Sequence, residues 1–112
     1  MSEADIFAQL DALLAQRRAA DPQASYTASL YAGGIEAITA KVAEESAEVI
    51  EAATQTATAD DRAHLIHEVA DLWFHCMVLL QAGGASTMDV QTELARRFGV
   101  SGFEEKAARP AR

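Results

Sequence analysis

The chain has 112 residues, 17 acidic side chains against 9 Lys or Arg, a net charge of −8, and half of its residues are hydrophobic. That is enough sequence for one domain with a modest core, and the acidic balance argues against a broad surface for phosphate backbones, so nucleic acid is not an expected partner. No apolar run approaches the roughly 18 residues of a membrane span, the acidic start MSEADIFAQLDALLAQRR lacks a signal-peptide layout, and one cysteine, Cys76, allows no internal disulfide; a cytoplasmic single-domain protein over residues 1–112 is expected.

Ser2 is a candidate N-cap for a first helix carrying Ile6, Leu10, Leu13 and Leu14 at helical spacing, fading near Ala19 and Ala20 before Asp21 and Pro22. DPQASYTASLYAGG is the least regular stretch, punctuated by Pro22, Gly33 and Gly34. A second helix is expected from about Gly34 to Ala53. TQTATADD reads as a connection, and Asp60 or Asp61 as the cap of a third helix running to Gly83 and Gly84. Ser86 or Thr87 caps a fourth, MDVQTELARRFG, ended by Gly99, and the charged tail over 103–112 is expected to be partly ordered. No alternating run is long enough for a strand. The class is therefore all-α, a bundle of about four helices around an antiparallel long pair. Apolar residues cover more than one face of the third helix, Leu65, Ile66, Val69, Trp73 and Phe74 among them. A second copy in a homodimer is expected to complete the core.

KVAEESAEVIEAA (41–53) crowds Glu44, Glu45 and Glu48 into five residues, although like charges three or four apart on a helix repel by roughly 0.2–0.5 kcal/mol per pair. The apolar stripe of the second helix runs Ile35, Ile38, Val42, Val49, and Glu45 stands where it needs another apolar residue. Leu65 and Leu72 bracket Glu68 in the same way. Glu48 is one turn from Glu45 and Asp71 one turn from Glu68, so the two helices carry Glu-x-x-Glu and Glu-x-x-Asp able to face each other.

Burying four unpaired carboxylates costs several kcal/mol each, and the basic residues nearby are too few to neutralise them. A divalent cation would do so, and all-oxygen coordination without Cys or His points to Mg²⁺ or Mn²⁺ ahead of Ca²⁺. The spacing alone equally allows a solvated acidic surface with Glu45 and Glu68 at the edge of the seam. A di-iron bundle wants Glu-x-x-His, which the sequence lacks. The other use of such a cage is a Mg²⁺ platform for phosphoanhydride hydrolysis, in which the cation offsets phosphate charge and activates a water.

Glu45-Ser-Ala-Glu48 and Glu68-Val-Ala-Asp71 resemble the ExxE…ExxD signature of the all-α nucleotide pyrophosphohydrolases, the MazG-like superfamily that includes the dimeric dUTPases. SYTASL (25–30), Gly34, Ile38, KVAEESAEVIEAA (41–53), HEVADLWFHCMVLL (67–80) and the ending ELARRFGVSGFEEKAARP together resemble the phosphoribosyl-ATP pyrophosphohydrolases of histidine biosynthesis over nearly the whole chain. Ala43 departs from an expected Gly, and Trp73 from the usual Tyr or Leu. The resemblance implies hydrolysis of phosphoribosyl-ATP to phosphoribosyl-AMP and pyrophosphate by Mg-activated water, the second step of histidine synthesis. It also implies the stand-alone form, without the cyclohydrolase domain fused to some relatives.

On this reading Glu45, Glu48, Glu68 and Asp71 are the Mg²⁺ ligands, directly or through water. Glu44 holds a second metal or orients the attacking water, unless it is a plain exposed acid. Lys41 reaches a phosphate or tethers a carboxylate, or is a surface pair with Glu45. Ser25, Tyr26 and Thr27 look like the family's loop at the mouth of the active site, with hydroxyls for phosphate or ribose, against a turn or capping role. At most one of Arg96 and Arg97 faces a site; Arg97 is assigned to the phosphoribosyl phosphate, with a solvated arginine as the alternative. His75 reads as a satisfied core histidine, or else as a hydrogen-bond partner of Asp71. Trp73 and Phe74 read as core or dimer contacts, Cys76 as a small buried hydrophobe, and Glu51 as solvated. The rival functions are a MazG-like house-cleaning hydrolase of free nucleoside triphosphates, using the same metal site, and a non-catalytic helical interaction module.

Overall fold

The computed structural model describes residues 6–110, which form five α-helices: α1 (Ile6–Arg17), α2 (Tyr26–Ala52), α3 (Ala59–Ala82), α4 (Thr87–Arg97) and α5 (Gly102–Ala108). No strand occurs among the described residues, so the all-α class holds. Ser2 lies outside the described residues, and of the tail only 111 and 112 do.

The second helix begins earlier than its apolar pattern suggests. Ser25 is extended, and its hydroxyl accepts a hydrogen bond from the Ala28 amide at 3.2 Å, which starts α2 at Tyr26. Gly34 then interrupts it with φ 78° and ψ −176°, a backbone region open essentially to glycine alone. Residues 26–33 and 35–52 are helical on either side. The expected start near Gly34 is thus correct only for the longer piece, and the stretch read as least regular holds a helical segment that buries Ala28 and Leu30. Gly33 is constrained differently: a Cβ there would fall 2.7 Å from the Ala37 Cβ.

Thr58 caps α3, in place of the expected Asp60 or Asp61, because Thr58 and Asp61 form a reciprocal box. The Asp61 amide donates to Thr58 Oγ1 at 3.0 Å, and the Thr58 amide to Asp61 Oδ2 at 3.3 Å. The helix ends in paired bonds from the Gly84 amide to Gln81 O and from the Ala85 amide to Leu80 O, which require the positive φ of Gly84. Ser86 caps α4 as expected, boxed with Asp89. The described residues hold five helices, one short helix beyond the about four expected. Ser101 starts α5, and Glu105 on it pairs with Arg96 at 3.1 Å, so most of the supposed partly ordered tail is helix held by charge.

α2 and α3 form the most extensive contact, with α1 packed on both and α4 packed on α1. Tyr26 meets His75 while the later Glu48 meets the earlier Glu68, so the long helices run antiparallel. Leu14, Leu30, Ile38, Met77 and Val78 make the centre of the core, flanked by Phe7, Leu10, Tyr31 and Phe74. Each such side chain is worth about 1.5–3 kcal/mol when fully buried. The Tyr31 hydroxyl donates to Leu14 O at 2.9 Å, so its polar end is satisfied while its ring joins α2 to α1. Cys76, expected to be a small buried hydrophobe, is half-buried. Trp73, Ile35, Ile50, Ile66, Met88 and Leu94 are exposed in the single chain. No helix among the described residues is long and apolar enough to cross a membrane.

Candidate metal centre between the long helices

Glu45 replaces an apolar residue in the α2 stripe and Glu68 does the same on α3, and the antiparallel pairing carries both into the seam. Glu45 is 5% exposed and Glu68 9%. Carboxylate oxygens of Glu45, Glu48 and Glu68 lie within 4.8 Å of one another. Glu45 Oε2 and Glu68 Oε2 are buried and have no hydrogen-bond partner. Unpaired buried acceptors carry a desolvation cost of ~1–3 kcal/mol, more when charged, which a bound cation would offset.

The electrostatics agree. Burial pushes the Glu45 carboxyl above its ordinary value, and the neighbouring Glu48 and Asp71 carboxylates add to the rise. Only Lys41 acts in the opposite sense, its Nζ 3.6 Å from Glu45 Oε1, and one ion pair does not reverse the rise. Lys41 also donates to Glu44 Oε2 at 3.3 Å. Burial disfavours its charge, but the bond to Glu44 and the nearby acids outweigh this and raise its pKa.

His75 closes the inner end of the cluster at 6% exposure. Its Nδ1 is 2.8 Å from the Asp71 carbonyl oxygen, which can only accept, so Nδ1 carries the proton. In that tautomer Nε2 accepts from the Tyr26 hydroxyl at 2.8 Å. Nδ1 is also 3.9 Å from Glu45 Oε1. The reading of His75 as a satisfied core histidine is right, and the partner on Asp71 is its backbone. On the solvent side, His67 Nε2 is 3.3 Å from Asp71 Oδ2 and His64 Nδ1 is 3.8 Å from Glu68 Oε1.

Of the residues expected at a site, the structure brings together Glu45, Glu48 and Glu68, places Asp71 beside Glu68, and sets Lys41 and Tyr26 at the margin. Glu44 turns outward and is paired with Lys41. Ser25 is engaged as the α2 cap, and Thr27 is half-buried in the first turn. Arg97 is on α4, bound to Glu93 Oε2 at 2.9 Å and 3.7 Å from Glu105, and is not brought to the carboxylates. His64 and His67 carried no assignment from sequence. Their only signal was the spacing of four to Glu68 and Asp71, which is equally that of any surface pair.

The donor set suits a hard divalent cation: several carboxylate oxygens, two of them buried without partners, on two stiff helices. The phosphoribosyl-ATP pyrophosphohydrolase family pattern matches residues 7–98. The chain is 50% identical over 109 residues to a phosphoribosyl-ATP pyrophosphatase of Azoarcus sp., covering 97% of this chain and 98% of that one. It is 49% identical over 109 residues to the protein of that name from Aromatoleum aromaticum (97% of each chain). The likeness to that of Hydrogenovibrio crunogenus is 47% over 105 residues, covering 94% and 93%.

Proposed function

The chain belongs to the phosphoribosyl-ATP pyrophosphohydrolase family and is a hydrolase of the histidine-biosynthesis step, and we propose that it cleaves phosphoribosyl-ATP to phosphoribosyl-AMP and pyrophosphate at the carboxylate cluster. Glu45, Glu48, Glu68 and Asp71 hold a divalent cation, Mg²⁺ or Mn²⁺. The observation that carries this is the pair of buried, partnerless oxygens on Glu45 and Glu68 within one cluster. When bound, the cation supplies a Lewis acid that offsets phosphate charge and makes water a better nucleophile near neutral pH.

The protein's own groups do the rest. Four carboxylates set where the polyphosphate docks. Lys41, already against Glu45, lends a positive charge at the rim. Glu44 stands outside the cluster and serves as the partner that aims Lys41. Ser25, Tyr26 and Thr27 begin the segment bordering the site, with Tyr26 fixed by His75. Arg97 could meet a substrate phosphate only from a neighbouring chain or after leaving Glu93. The working unit is a homodimer of single-domain, cytoplasmic chains. In support, an apolar groove of about 400 Å³ between α1, α3 and α4, lined by Phe7, Trp73, Met77, Leu80, Val90 and Leu94, opens to solvent in the single chain.

Pyrophosphate release from phosphoribosyl-ATP, with and without Mg²⁺, tests this beside Glu68→Gln. Release that needs the metal and falls by about 10²-fold or more in the variant is expected. Comparable release from dCTP would move the protein to the house-cleaning class.

A further inference from the structure

The Tyr26 hydroxyl, expected to serve the substrate, is engaged inside the fold. It donates to His75 Nε2 at 2.8 Å, while the tyrosine as a whole is 54% exposed. The two rings stand at 83° with centroids 5.9 Å apart, so the imidazole holds the phenol by its polar end and covers neither face. His75 Nδ1 lies 3.9 Å from Glu45 Oε1, so one imidazole spans the gap between the phenol oxygen and the carboxylate cluster. Lys41, 3.6 Å from Glu45, is close enough to Tyr26 to feel it electrostatically. The other exposed aromatic rings among the described residues lie elsewhere. Trp73 packs on Phe7 in the groove between α1, α3 and α4, and Phe98 and Phe103 are at the junction of α4 and α5.

We propose that the Tyr26 ring is the platform on which the substrate's purine stacks while its polyphosphate occupies the carboxylate centre. This rests on the reading of that centre as the polyphosphate site. A purine and a phenol both bury flat faces when they stack, and the contact is made with the ring and not with the hydroxyl. The bond to His75 fixes the ring before the substrate arrives, so little freedom is lost on binding. The platform reads a base and is indifferent to phosphate. Tyr26 is therefore a residue of specificity: it favours nucleotides over inorganic polyphosphates, which the carboxylates alone do not tell apart.

Titration calorimetry with Mg²⁺ compares α,β-methylene-ATP, whose α–β link resists hydrolysis, with inorganic tripolyphosphate. Wild type, Tyr26→Phe and Tyr26→Ala are used, with far-UV circular dichroism to check folding. Tyr26→Ala should weaken the nucleotide about tenfold or more and leave tripolyphosphate within about twofold, while Tyr26→Phe stays within about threefold of wild type for both. With phosphoribosyl-ATP as substrate, KM of Tyr26→Ala should rise by a similar factor at nearly unchanged kcat. Nucleotide affinity that survives Tyr26→Ala, or an equal loss for both ligands, overturns the platform. So does a Tyr26→Phe as weak as Tyr26→Ala, which would assign the effect to the hydroxyl. A wild type that leaves phosphoribosyl-ATP uncleaved but shows the nucleotide-specific loss overturns the substrate and keeps the platform. A wild type that binds neither ligand overturns both.

Discussion

The Tyr26 hydroxyl lies 2.8 Å from His75 Nε2, joining the first turn of α2 to a buried imidazole on α3. Because His75 Nδ1 is committed to the Asp71 carbonyl, the same ring ties residues 26–33 to the backbone that carries Asp71. Tyr26→Phe keeps the ring, which is itself exposed, and removes only the donor, leaving Nε2 buried and unpaired. A loss of about 1–3 kcal/mol follows, seen in urea unfolding at pH 7. A variant as stable as wild type would mean that water replaces the hydroxyl.

Glu45 makes the metal-free protein sensitive to pH. Its pKa in the fold is raised above 4.5, by burial first and then by Glu48, so the folded state holds that proton more tightly than the unfolded chain. Stability from this source is present below the ordinary value and is lost as pH rises through the raised one. In EDTA the melting temperature should therefore fall between mildly acidic and neutral pH. Mg²⁺ should restore it at neutral pH and do little in acid, where a proton already occupies Glu45. A melting temperature in EDTA that climbs across that interval would contradict the argument. Scanning fluorimetry with and without Mg²⁺ reads both limbs.

The carboxylate pair was legible in the sequence because it contradicts its own pattern. A charged residue at an apolar stripe position has to be either an edge or a ligand, and Glu45 and Glu68 both end up buried. Two elements were less legible for opposite reasons. Helical residues flank Gly34 on both sides, so nothing in the apolar period marks the break, which is a property of one backbone angle. α5 has only seven residues, too few for a period, and is held by Glu105 against Arg96 and Arg97.

Gly34→Ala tests the break directly. A Cβ at Gly34 meets no atom within 4 Å, so packing is not the obstacle; φ of +78° is. Holding alanine in that region costs of the order of 1–3 kcal/mol. If the chain escapes by making α2 continuous, residues 26–33 swing away and Tyr26 loses His75. The expected outcome is a less stable protein whose 26–33 amides exchange hydrogen faster than those of 35–52. Unchanged stability and exchange would mean that the angle is not enforced.

Asp11 on α1 organises the start of α4. Its Oδ1 accepts from the Thr87 amide at 2.9 Å, and its Oδ2 from the Thr87 hydroxyl at 2.6 Å and the Met88 amide at 3.3 Å. Ser86 takes the Asp89 amide, so the first three free donors of α4 are all satisfied, two of them from another helix. Burial alone would raise the Asp11 pKa, but the bonds from Thr87 and Met88 outweigh it and hold the carboxyl below 3.8. A depressed carboxyl stabilises the fold above its ordinary value, and that contribution is lost as pH falls through the lowered one. Asp11→Ala should cost about 0.5–2 kcal/mol, as for other helix caps, and Asp11→Asn less, since one oxygen still accepts. The gap between wild type and Asp11→Asn should also close as pH drops below 3.8, where the native carboxyl becomes neutral as well. Urea unfolding of the three proteins at pH 7 and at acidic pH measures both effects, and a gap that does not change with pH would assign the effect to shape and not to charge.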